Sequence, residues 1–273
     1  MRMQKIGVGL LLSVLLVTQL YPLLWLLLYS FKTNEEILSG AFFALPDVMK
    51  WSNYSDAYFK GNYVRNLFNS LFVTGSTLTV TLLLSSMVGY AIARFKWRWS
   101  KSVLLIFIVG MMIPTQSTLL PLVVLFRKLH VTDTYLSMIL PYIAFSLPLA
   151  VFILTGFFRT IPHELEESAS MDGASVYGVF VRIMVPISIP PIVTVTILTF
   201  ISIWNEYIMA ATFISSPALK TLPFGIYSFV SKYSTNFGAI GAYLVLGAIP
   251  VLMVYFTLAE KITKGMIAGA VKG

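Results

Sequence analysis

IPHELEESASMDGASVYGVFVRIMVPISIPP, residues 161–191, concentrates four acids, Glu164, Glu166, Glu167 and Asp172, in a chain that has only eleven. Long apolar runs flank it on both sides. Ile161, Leu165 and Ala169 recur at i, i+4 and i+8, so they are expected on one side of a short helix, with carboxylates over much of the rest. Asp172-Gly173 stops that helix, because glycine accepts positive φ after a helix end and aspartate favours turns and caps. Ser175 is then placed to cap a following helix. The expected unit is two helices joined by a stiff elbow, ahead of Pro186, Pro190 and Pro191. A charged, capped helix between apolar runs reads as a docking element, through which another protein chain delivers mechanical work.

Outward from this stretch the sequence is that of a membrane protein. It is 58% hydrophobic and 11% charged, where soluble domains average about a quarter charged. Charge-free runs cover Ile6–Phe31, Asn66–Ala93, Ser102–Phe126, Thr134–Phe158, Ile183–Asn205 and Tyr233–Ala259. Each exceeds the roughly 20 apolar residues that cross a hydrocarbon core as a helix. The expected fold is therefore all-α and integral to the membrane, with six transmembrane helices. Its expected divisions are an N-terminal span (1–34), an external loop (35–65), a core with five spans (66–260) and a C-terminal tail (261–273). The first run is too long for a signal peptide, and Leu28-Tyr29-Ser30 offers no cleavage site.

An even number of spans puts both termini on one side. Eleven basic residues then fall on that side, several in the short loop Arg94–Lys101, and eight on the other, which makes the first side cytoplasmic. The net charge of +8 follows from this topology without nucleic acid. No cysteine is present, and the two histidines, His130 and His163, make no metal-ligand spacing. The segment 159–182 is the one cytoplasmic loop of net negative charge, which anionic headgroups repel; a basic protein groove suits it better.

Prolines 114, 121, 141, 148, 186, 190, 191 and 250 fall within or beside spans, where they kink helices. Together with polar patches such as Thr115–Thr118 they suggest a water-accessible path. Gln116, Tyr142, Trp204 and Asn205 are candidates along it, since amides and aromatic faces suit sugar rings; helix packing explains each of them equally well. Gly89 and Ala91 are small enough for close helix contact. The external segment Lys32–Arg65 reads as an aromatic loop on the membrane surface. The uncharged Tyr207–Leu219 is too short to span, and reads as a re-entrant or interfacial piece.

None of the six runs holds an ionisable residue, which disfavours an ion-coupled carrier. No G-x-x-x-x-G-K-[ST] phosphate cradle exists either. Any ATP chemistry must then occur on a separate chain.

At the acidic stretch the sequence resembles the permease subunits of bacterial ATP-binding-cassette importers. Glu167-Ser168-Ala169, then Gly173, Ile183 and Val185-Pro186 keep the spacing of their Glu-Ala-Ala signature, with Ser168 and Val185 departing from it. More narrowly it resembles the smaller six-span permease of maltose-type carbohydrate importers. That likeness includes Asn69-Ser70, Tyr90–Arg94, Pro114, Trp204-Asn205-Glu206 and the ending Gly269–Gly273. The resemblance implies a type I importer permease fold with a cytoplasmic coupling helix between spans four and five. It implies an ATPase-coupling set of Glu164, Glu167, Ser168, Ala169, Asp172, Gly173, Ala174, Ile183 and Pro186. It further implies a second related permease, two ATPase subunits carrying the ATP and magnesium, and an external sugar-binding protein, in a bacterial cytoplasmic membrane. The chain itself is expected to bind no cofactor or metal and to make no covalent bond. The competing readings are an importer of a non-sugar solute, a carrier or channel working without ATP, and a membrane enzyme acting on lipid.

Overall fold

The computed structural model describes the backbone of residues 2–40, 44–231 and 234–270, with side chains over 7–257 of these. Val271, Lys272 and Gly273, and the side chains of Arg2, Lys5, Lys232, Lys261 and Lys264, lie outside the described residues. Apart from one antiparallel bridge between Val230 and Thr235, the described residues carry no β structure.

The helices in chain order are α1 (Arg2–Tyr29), α2 (Asn34–Leu38), α3 (Ser52–Phe59), α4 (Tyr63–Arg94), α5 (Ser100–Gly110), α6 (Leu119–Lys128) and α7 (Tyr135–Thr160). They continue as α8 (Glu164–Met171), α9 (Val176–Val179), α10 (Val185–Ile187), α11 (Ile189–Trp204), α12 (Ile208–Phe213), α13 (Leu222–Gly225) and α14 (Phe237–Ala270). A π turn at Phe180–Met184 joins α9 to α10.

Four helices are unbroken and apolar enough to cross a membrane: Gly7–Tyr29 within α1, α4, α7, and Phe237–Thr257 within α14. The third and fifth apolar runs are instead bent pairs, at 96° between α5 and Thr115–Lys128 and at 72° between Val176–Ile187 and α11. Counting each pair as one span gives six. Proline chemistry explains both bends. Ile113 precedes Pro114, whose neighbour is pushed out of the helical region, and Pro114 itself is extended at ψ 124°. Ser188, at ψ 10°, lies two residues before Pro190, which has no N–H to donate and whose ring crowds the carbonyl four residues back.

The contacts divide the chain into two units. In the first, residues 1–67 and 224–249, the segment after α1 is a folded cap, where the sequence suggested a surface loop. Thr33 and Glu36 form a reciprocal capping box on α2. Asn53, on α3 and 1% exposed, donates from Nδ2 to the carbonyls of Ser30 and Lys32, both at 2.9 Å. Phe31 packs edge-on against Trp51 with ring centroids 4.7 Å apart. Asn34 bridges the Thr235 carbonyl and the Phe237 N–H at the start of α14. Gly238 is needed for close approach: a Cβ there would lie 2.4 Å from Asn53 Nδ2 and 2.6 Å from the Lys32 carbonyl.

In the second unit, residues 68–223 and 250–273, α7 supplies buried residues to two cores. Met138, Ile139 and Tyr142 pack with Val73, Phe126, Ile203 and Phe213. Ala150, Leu154 and Phe158 pack with Tyr90, Ala169, Val179, Met184 and Val195. Gly89 lets α4 lie against α7, since a Cβ there would stand 3.3 Å from Leu154 Cβ. The uncharged piece after α11 folds as α12, burying Met209, Ala210 and Phe213. Asp133 then accepts from the N–H groups of Ser215 and Ser216. Asn69 donates to the carbonyls of Ala218 and Lys220, so the following loop is pinned at both ends.

Candidate functional site

The acidic segment begins where α7 ends. Ile161 is extended at ψ 131°, as expected of a residue before proline, and α8 starts only at Glu164. Ile161 therefore does not share a helical stripe with Leu165 and Ala169, contrary to the sequence reading. Ile161 (5% exposed) and Ala169 (9%) are in the core, whereas Leu165 is 42% exposed. Glu164, Glu166 and Glu167 occupy the first turn of α8, where the helix dipole favours anions.

The helix closes in a Schellman motif. The Ala174 N–H donates to the Ala169 carbonyl and the Gly173 N–H to the Ser170 carbonyl, with Gly173 at φ 81°. Ser175 caps α9 by accepting from the Gly178 N–H at 3.2 Å. The elbow and both helices thus have the local form read from the sequence.

The structure splits the candidate coupling set. Glu164, Glu167, Ser168, Asp172, Gly173 and Ala174 are exposed together on α8 and its elbow. Ala169 is buried beneath them, Ile183 is half-buried beside the same core, and Pro186 is exposed further along, in α10. Met171, Val176 and Tyr177 are exposed as well, at 89%, 53% and 79%. The sequence reading passed over these apolar neighbours, although they bracket the Asp172-Gly173 elbow.

Glu166 faces inward. Its Oε2 receives the Arg94 guanidinium, from Nε at 2.8 Å and from Nη2 at 2.7 Å. Arg94 also donates from Nη1 to the carbonyls of Phe158 (3.2 Å) and Ile161 (2.8 Å), and from Nη2 to that of Pro162 (3.2 Å). Its side chain is 2% exposed and that of Glu166 16%. A buried ion pair persists when further hydrogen bonds offset the loss of water. Here the carbonyls of Phe158, Ile161 and Pro162, in and just past the last turn of α7, supply them for Arg94, and a cation at a helix C-terminus is favourable.

The four candidate path residues do not converge. Tyr142, 5% exposed, lines a cleft of about 200 Å³ with Thr115, Ser146, Thr199, Ser202 and Glu206. Its hydroxyl donates to Glu206, which also accepts from the N–H groups of Met209 and Ala210 and so caps α12. Trp204 is buried and stacks on Phe200 at 5.1 Å. Gln116 and Asn205 are exposed and do not line the cleft. Among the described residues no three His, Cys, Asp or Glu are grouped as a metal would need.

Residues 82–267 match the family of binding-protein-dependent transport system inner membrane components, and the chain belongs to that family. The sulfoquinovosyl glycerol transport system permease of Agrobacterium fabrum is 33% identical over 96% of this chain and 92% of its own. The arabinooligosaccharides transport system permease of Bacillus subtilis is 32% identical over 98% of this chain and 96% of its own. Among solved structures, a chain of a bacterial ABC transporter for import of the acidic polysaccharide alginate superposes with a TM-score of 0.81 at 21% identity. That match covers 95% of this chain and 96% of the other. The fold is that of a type I importer permease.

Proposed function

We propose that this chain is the smaller permease of an ATP-driven importer for a sugar or oligosaccharide. It pairs with a second, related permease. The assembly has two ATPase subunits, one of which engages the exposed face of 161–174, and an external binding protein delivers the cargo. ATP and magnesium are held by the ATPases. The chain crosses the membrane six times, with each bent pair counted as one span and both termini in the cytoplasm. The single observation that carries the cargo class is likeness along almost the whole chain to permeases named for glycoside cargoes. The docking reading is supported by the exposed acids Glu164, Glu167 and Asp172 beside the apolar Met171 and Tyr177, a surface suited to a groove of basic rim and apolar floor. The Asp133 and Asn69 clamps hold the loop after α12 in one shape, as a platform for the loaded binding protein requires. The cleft at Tyr142 and Glu206 offers hydroxyls and a fixed carboxylate, which suit a polyol. The test is uptake by proteoliposomes containing the whole complex, with labelled sugar on its binding protein outside and ATP inside. Uptake that depends on both supports the reading. Uptake without ATP overturns it, and delivery of only a non-carbohydrate solute overturns the cargo class.

A further inference from the structure

We propose that Arg94 and Glu166 form the strut by which movement of α8 reaches α4 and α7, making Arg94 a positioning residue for transport. The inference rests on the reading of α8 as the ATPase dock. It goes beyond that reading by assigning the inward carboxylate a separate task from the outward ones.

The guanidinium has five N–H donors. Two engage Glu166 Oε2, and the other three engage the carbonyls of Phe158, Ile161 and Pro162. One planar group therefore joins the last residue of α4, the end of α7, the turn at Pro162 and the first turn of α8. The remaining side-chain attachments of α8 are weaker. Ala169 contributes one methyl to the core, while Ser168 and Ser170 bond only to carbonyls of α8 itself. Lysine cannot reproduce a planar fork aimed at one carboxylate and three carbonyls. A load applied at the exposed acids thus passes into the unit through a buried, fully engaged arginine.

The experiment uses the complete importer in proteoliposomes, with Glu166→Gln and Arg94→Lys beside Glu164→Lys/Glu167→Lys. The measurements are ATPase subunits retained on purification, hydrolysis stimulated by loaded binding protein, and sugar moved per ATP. For Glu166→Gln and Arg94→Lys, retention and hydrolysis are expected to persist. Sugar per ATP is expected to fall about tenfold, within the range by which residues carrying coupling alter it. An unchanged ratio in both variants overturns the proposal. Because the native chain has no cysteine, spin labels at Met87→Cys on α4 and Ser170→Cys on α8 are unique within this chain, which is labelled before assembly with its partners. Their separation is expected to stay constant between the nucleotide-free and nucleotide-trapped complex, and to change only when Glu166→Gln is added. A change in the otherwise native chain overturns the strut even if the two variants fail to assemble. Full ATPase retention in the Glu164/Glu167 double reversal overturns the docking reading instead, so the two failures are distinguishable.

Discussion

Replacement of Gly173 separates backbone conformation from packing, because a Cβ at this position would meet no atom within 4 Å. Whatever a substitution costs here comes from φ, which is 81°. For an ordinary L-residue the left-handed region costs about 1–2 kcal/mol, and asparagine tolerates it better. A β-branched residue fares worst. The Schellman bonds from Gly173 to Ser170 and from Ala174 to Ala169 hold the elbow only if that φ is kept. Since each 1.4 kcal/mol is a factor of ten, Gly173→Ala is expected to reduce the fraction of chains with an intact elbow relative to frayed forms about five- to thirtyfold. The expected order of function is Gly, then Asn, Ala and Val. The assay is ATP-dependent uptake at matched membrane abundance, together with hydrogen exchange at residues 170–175. Equal uptake and equal protection for Gly173→Val and the native chain would refute the reasoning. So would Asn performing worse than Val, because that order cannot arise from φ.

Glu167→Lys alone should lower ATP-dependent uptake while the chain still inserts, because it reverses charge on the exposed face of α8; normal uptake with normal ATPase retention counts against the dock. Gly238→Ala should destabilise the cap by about 1–3 kcal/mol through overpacking, since the new methyl meets Asn53 Nδ2 and the Lys32 carbonyl; an unchanged melting temperature of the purified chain would contradict this. The Glu36 carboxyl is held below its ordinary range, first by the Thr33 N–H and then by the Asp47 N–H that it accepts. Its folded-state pKa is depressed, so its contribution to the cap is complete above the unfolded value of about 4.3 and is lost as pH falls through the folded value. Proteolysis of residues 33–47 should therefore quicken at low pH in the native chain and show less pH dependence in Glu36→Gln. Tyr142→Phe removes a hydrogen bond to the Glu206 carboxylate, of a kind worth about 1.5–3 kcal/mol, and should lower thermal stability accordingly; stability equal to the native chain would mean the contact carries no load.

Features set by neighbours in sequence were legible, and those set by distant partners were not. Gly173 and Ser175 announce the elbow because φ preference and N-capping act within a few residues. The bends at Pro114 and Pro190 follow from proline's own ring, although their angles of 96° and 72° do not. Ile161 does not belong to the stripe of Leu165 and Ala169, because the helical period does not carry back across Pro162 and Ile161 is outside the helix. Arg94 and Glu166 lie 72 residues apart, and nothing in the spacing of either pairs them. Asn53 likewise gives no local sign that its amide will close the turn after α1. Side-chain type and a place on a kinked helix do not distinguish the path candidates, whereas the fold does: Tyr142 lines the cleft, and Trp204 is buried against Phe200.

The acidic cluster is better understood as two devices than as one charged face. Three glutamates in the first turn of a short helix repel one another, and solvent screening makes that tolerable only for those facing out. Glu164 and Glu167 are exposed. Glu166, turned inward, would be costly without a counter-ion, and a lone buried cation opposite it would be costly too. Arg94 supplies the counter-ion at Glu166 Oε2, and its own burial is offset because its three other N–H groups are taken by carbonyls around the end of α7. At this end of the molecule, where α8 offers little more than Ala169 to the core, the buried ion pair supplies the rigidity that apolar packing cannot.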